Sequence, residues 1–116
     1  MQYMLLIYEP AGAYEGPAGE TLLADIVSGH PALAGELRAK GIQKDGAGLQ
    51  GIETARTVTV RSGRRSLYDG PFAETREELG GFYLIEVASG DEALAIAMRV
   101  PEPDGGKVEV RPLVVH

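Results

Sequence analysis

The chain has 116 residues and a mass of 12.3 kDa, 44% of them hydrophobic and 24% charged, which is the size and make-up of one globular domain over 1–116. Seventeen acidic against eleven basic residues leave a net charge of −6, which repels phosphate backbones and argues against non-specific nucleic-acid binding. The absence of cysteine excludes a disulfide framework, a zinc finger and a thiol nucleophile.

The strand and helix signals follow in chain order. Tyr3 to Tyr8 is short, continuously apolar and bounded by Glu9-Pro10, the pattern of a strand buried on both faces. Met1 to Tyr8 has neither the basic region nor the long apolar region of a signal peptide, so none is expected there. Apolar runs of about six or seven residues fall short of a membrane span, so a cytoplasmic protein with no membrane partner is expected. Residues 9–19 read as a loop. A helix is predicted from Gly16-Pro17, with proline at the tolerated first position, carrying a stripe of Leu22/Leu23, Ile26/Val27, His30, Leu33/Ala34 and Leu37 to a stop at Gly41. Gly29 and Pro31 fall inside it, and an interior proline costs about 3 kcal/mol. A kink or break at 28–31 is therefore expected, giving two short helices with His30 at the break.

Ile42 to Gly51 is a glycine-punctuated strand or loop, and Thr54 to Arg61 is a β-branched strand. Ser62-Gly63-Arg64 turns it back into Arg65 to Tyr68 as a hairpin. Asp69-Gly70-Pro71-Phe72 is a turn, with Phe72 as its anchor. A short helical segment is expected over Glu74 to Leu79, then a strand from Phe82 to Val87. Ser89 and Glu92 form a capping box that opens a helix through Val100. Lys107 to Val115 alternates as a final strand. The order is β-α-β-β-β-(short α)-β-α-β, which suits a ferredoxin-like antiparallel sheet with an inserted hairpin. Two helices cover one face of such a sheet, so the apolar other face predicts a homodimer packed sheet to sheet.

Sixteen glycines are about twice the usual share, and nearly all mark turns and element ends. Gly46, Gly48 and Gly51 spell G-x-G-x-x-G, but no helix is predicted to open on them, so a glycine-rich turn is the better reading. Two histidines, one of them terminal, give no metal-ligand spacing and no hydrolase triad. Neither a metal nor an organic cofactor is expected. His30 is the internal group that titrates near neutrality. It is either a packing residue on the helix stripe or a general acid/base facing a pocket. Asp69 and Glu74 sit within six positions of one rigid turn, beside the aromatics Tyr68, Phe72 and Tyr83. There they serve either turn chemistry or a pocket. Lys107, Glu109 and Arg111 line one face of the last strand, as a solvent face or as the wall of a polar cavity in a dimer.

Met1 to Tyr8, Tyr68-Asp69-Gly70-Pro71-Phe72-Ala73-Glu74-Thr75-Arg76-Glu77, Leu79 to Ile85 and Val108 to Leu113 together resemble the DGPF-motif branch of the YCII-related family. The resemblance runs from the first strand to the last. It implies a ferredoxin-like, dimeric α+β barrel. It also implies gene neighbourhood with extracytoplasmic-function sigma factors and, in the wider family, a His–Asp acid/base dyad. One related group dehydrochlorinates chlorinated hydroxyquinols. The family histidine lies eleven residues before the glycine that ends the first helix, and His30 stands eleven before Gly41. The family aspartate precedes a proline after the second helix; here Val100 precedes Pro101, so it is missing.

Two functional readings follow. In the first, a small cofactor-independent enzyme uses His30 and Asp69 as its acid/base pair. Tyr8, Tyr68, Phe72, Glu74, Tyr83 and Arg111 then bind a small polar or aromatic molecule, with Lys107 as a further cation. In the second, a non-catalytic dimer binds a ligand or regulates a sigma factor. The plain alternative is a dimeric α+β domain with no assignable role.

Overall fold

The structure is a computed structural model that describes residues 1–73 and 75–115. Glu74, a candidate binding residue, and His116 lie outside the described residues. The elements are β1 (Gln2–Pro10), α1 (Gly16–Ala39), β2 (Gln43–Gly48), a 3-10 turn (Ile52–Thr54), β3 (Arg56–Arg61), β4 (Arg64–Asp69), β5 (Glu77–Glu86), α2 (Gly90–Ala97) and β6 (Lys107–Pro112). Four strands form an open antiparallel sheet in the order β2-β5-β1-β6, and β3-β4 make a separate two-stranded hairpin. This is a ferredoxin-like α+β arrangement. Its sheet does not close into a barrel within one chain.

Strand alternation decides the two faces of the sheet. Tyr3, Leu5 and Ile7 of β1 and Tyr83 and Ile85 of β5, with Val87 just beyond it, are buried together with Leu33 and Leu37 of α1 and Ala93 and Ile96 of α2. Leu5, Leu37 and Ile85 are fully buried, each contributing about 1.5–3 kcal/mol of transfer free energy. The alternate residues, Met4, Leu6, Phe82 and Leu84, lie half-buried on the opposite face. There Met4 stands opposite Arg111 and Leu6 opposite Glu109. Ser89 caps α2 by accepting from the Glu92 amide, while the Glu92 carboxylate accepts from the Ala88 amide, one residue earlier than in the standard box. Arg99 clasps Glu36 with two hydrogen bonds of 2.6 and 2.7 Å, tying the end of α2 to α1.

Two expectations are corrected. α1 continues through Pro31 as one helix of 24 residues instead of breaking at 28–31. Pro31 faces solvent, so its ring displaces no packing, while Leu33 and Leu37 hold the following turns on the sheet. The segment before Gly80 is strand, not a short helix. Glu77, Glu78 and Leu79 pair with Pro10, Glu9 and Tyr8, and this pairing outweighs the local helix preference of Glu and Leu.

Candidate functional site

α1 changes its role along its length. Leu33 and Leu37 bury against the sheet, whereas Leu23, Ile26 and Val27 line a cavity of about 750 Å³. The sheet supplies the empty space. At the register shift in the β1–β5 pairing, Ile7 meets Gly81 and Tyr8 meets Leu79, leaving Gly80 unpaired. Gly80 lines the cavity without adding a side chain to it, and a Cβ there would meet the Glu9 carboxylate at 3.1 Å. A Cβ on Gly81 would lie 2.7 Å from the Ala47 carbonyl oxygen, so glycine is also what allows β2 to approach. The far wall is the loop Gly48–Glu53, and the mouth is formed by Glu9, Tyr14, Glu15 and Glu78.

His30 stands where the buried stripe of α1 ends and the cavity begins. It is half-buried and lines the cavity. Its Nδ1 is 2.6 Å from the Tyr83 hydroxyl, which rises from β5 on the helix-facing side. The two rings meet edge to face, with centroids 5.8 Å apart. Nε2 has no partner among the described residues and is not sealed from solvent. Burial lowers the His30 pKa below its ordinary value, so the ring is neutral at pH 7. Burial raises that of Tyr83, so its hydroxyl keeps its proton. A hydroxyl both donates and accepts. Tyr83 therefore suits either neutral tautomer of His30 and also accepts from Nδ1–H once the ring is protonated. The arrangement gives Nε2 the position of a proton acceptor or donor at the cavity wall.

A second polar group lies at the mouth. The Tyr14 hydroxyl is buried beside the carboxylates of Glu9 and Glu102 and is directed at Glu9. Burial, reinforced by those charges, raises its pKa. Both carboxyl oxygens of Glu102 are buried without a side-chain partner. Burial, with the charge of Glu9, pushes the Glu102 pKa up to about 7. Glu102 precedes Pro103 just after α2, but it neither lines the cavity nor bonds to His30.

The other candidates are spread over the surface. Asp69 is 88% exposed on its side chain and ion-paired with Arg56 at 3.1 Å, at the base of the hairpin. Tyr68 and Phe72 are exposed, Phe72 at 79%. Tyr8 is half-buried between Lys107 and Leu79 on the uncovered side of the sheet. Arg111 is exposed on that same side, and Lys107 is ion-paired with Glu77. None of these lines the His30 cavity; of the residues named from the sequence, His30 and Tyr83 are brought together. Glu9, Tyr14, Glu53 and Glu78 do not stand out in the sequence. Glu9 adjoins Pro10, and Tyr14, Glu53 and Glu78 each stand two positions from a glycine, a spacing too common in this glycine-rich chain to single them out. The Gly46–Gly51 run carries the end of β2, its Gly48–Gly51 part lines the cavity, and a single 3-10 turn, not an α-helix, opens on it. Among the described residues, no group of three or more His, Asp or Glu is arranged to hold a metal ion.

The sequence matches the family model of the YCII-related domain over residues 1–115. It is also 46% identical over 69 residues to an uncharacterised protein of Rhizobium meliloti (strain 1021), a stretch covering 56% of each chain. The match thus spans about half the length of that relative.

Proposed function

The chain belongs to the YCII-related domain family, and from that membership we propose a small cofactor-independent enzyme in which His30 moves a proton inside the cavity beneath α1. The observation that carries this reading is the 2.6 Å contact of His30 Nδ1 with the Tyr83 hydroxyl at the wall of a 750 Å³ cavity. Nε2 takes a proton from an acidic C–H of the substrate and returns it to a neighbouring atom or to a departing group. Tyr83 occupies the orienting position that a carboxylate holds in the family dyad. Being neutral, it fixes the ring without raising its basicity as an aspartate would. The reaction class, isomerisation or elimination, comes from the family. The turn at Asp69–Phe72 supports placing the chain in the DGPF branch of the family.

The test is proton exchange in D2O over a panel of small ketones, aminoketones and halogenated ring compounds, read by NMR. Wild-type protein exchanges or eliminates at least one of them. His30→Gln lowers that rate by about 10²–10⁴-fold. The wild-type rate rises with pH to a plateau through a midpoint below the ordinary 6.5 of histidine. A His30→Gln protein that matches the wild type rules this reading out.

One observation favours a regulatory accessory. The hairpin holds Val58, Val60 and Leu67 at 57–59% exposure, with Phe72 at its base, and such patches mark protein contacts. An extracytoplasmic-function sigma factor is the partner implied by the family. Wild-type protein would retain an extracytoplasmic-function sigma factor from the same cells in a pull-down, and Val58→Asp/Leu67→Asp would not. Equal retention by both excludes this surface.

A further inference from the structure

Resting on the reading of the cavity as a substrate site, we infer that its ligand is an organic cation, a protonated or quaternary amine on a compact apolar body. The cavity and its His30–Tyr83 pair define the site; the charge of its lining decides what enters. Glu9, Glu15, Glu53 and Glu78 all line the cavity, and no lysine or arginine does. None of the four is ion-paired among the described residues. The contrast with the neighbouring Glu77 is direct, because that carboxylate is paired with Lys107 and does not line the cavity. The lining therefore carries a formal charge of −4 with a neutral imidazole. A bound anion meets repulsion from these carboxylates, worth up to about tenfold in affinity per close carboxylate at a partly solvated site. A cation meets the reverse.

The apolar part of the lining describes the rest of the ligand. Leu23, Val27 and Leu49 are large hydrophobic residues left 40–55% exposed, and all three line this cavity. Ile26 and Ile52 complete the wall. Apolar side chains gathered at a concave site with a few polar groups are the usual lining for a small organic molecule. An ammonium group at the carboxylate rim would leave its apolar body against α1, with a C–H within reach of His30. This also separates the ligand from the anionic class that Arg111 and Lys107 would select, since both lie away from the cavity.

Three probes of one shape and different charge test the inference: benzylamine hydrochloride, benzyl alcohol and sodium benzoate. Each is titrated into the ¹⁵N-labelled full chain at pH 7 and followed at the amides of Leu49, Gly51 and Gly80. Benzylammonium is expected to shift these amides saturably, at least tenfold more tightly than benzyl alcohol. Raising NaCl from 20 to 300 mM should weaken it about threefold or more. Benzoate should leave the cavity amides unmoved. Glu53→Gln/Glu78→Gln should lower the preference for the cation at least fivefold while the remaining spectrum is kept. Benzoate or benzyl alcohol binding the cavity as tightly as the amine overturns the ligand class while leaving His30 chemistry standing. Silence of the cavity amides to all three probes overturns the class and the substrate site together. Cation selectivity with no His30-dependent exchange in the D2O assay upholds the class and removes only the catalytic reading.

Discussion

Glu102 is the residue whose environment departs furthest from that of an ordinary surface carboxylate. Its two oxygens are buried without a side-chain partner and Glu9 adds a like charge nearby, while the Lys107 backbone amide offsets a smaller part of the effect. Its pKa of about 7 in the fold stands against 4.5 in the unfolded chain. The folded state thus holds a proton that the unfolded state has released. The stability tied to that proton is fully present below about 4.5, declines as the pH rises to about 7, and stays lost above it. The full shift corresponds to about 3 kcal/mol; solvent at a half-buried site reduces it to about 1–2 kcal/mol. Glu102→Gln should therefore match the wild type in urea denaturation at pH 4 and exceed it by about 1–2 kcal/mol at pH 8. Parallel pH profiles for the two proteins would show that Glu102 is solvated. His30 stands out in the sequence as a lone titratable group on an apolar stripe. Glu102 does not, because nothing in Pro101-Glu102-Pro103 says that Tyr14 and Glu9 close over it.

α1 shows a local rule yielding to its surroundings. Gly29 and Pro31 are poor helix residues, yet the helix runs through both. Gly29 has a packing reason to be there. A Cβ at this position would lie 2.9 Å from the Pro101 ring, so glycine lets the segment after α2 pack against α1. Pro31 is exposed, and nothing in the structure requires a proline there. Pro31→Ala should restore one backbone hydrogen bond and raise stability by about 1–3 kcal/mol, after allowance for the freer unfolded chain. Equal or lower stability in urea would mean that the helix draws on the proline. β5 makes the same point for strands. Its apolar second half is plain in the sequence, whereas Glu77–Leu79 become strand only because Tyr8–Pro10 lie alongside.

The molecule as a whole is open where a compact domain would be closed. Its radius of gyration is 16.0 Å, against about 13 Å for a compact chain of this length, consistent with a hairpin that stands off the main sheet. The face opposite the helices carries Met4, Leu6, Phe82 and Leu84 between charged rows, and among the described residues no element covers it. We propose that a second copy does, sheet to sheet, as the family resemblance implies. Sedimentation equilibrium at micromolar concentration should give about twice the chain mass, and Leu6→Glu should give the monomer. A monomeric wild type would refute the pairing.

The order of the six strands and the two main helices, the two-faced strands of the sheet, the capping of α2, the hairpin and the family are all legible along the chain; the unbroken α1 and the strand start at Glu77 are not. The legible features depend on periodicity, turn chemistry and motif, which act over a few residues. Only the tertiary structure decided that His30 meets Tyr83, 53 positions away, that Asp69 stands in an ion pair at the hairpin base, and that Gly80, at one strand irregularity, borders a cavity lined with carboxylates. Those juxtapositions follow from strand register and from the path of α1 over the sheet, and both are set by packing between segments far apart in the chain.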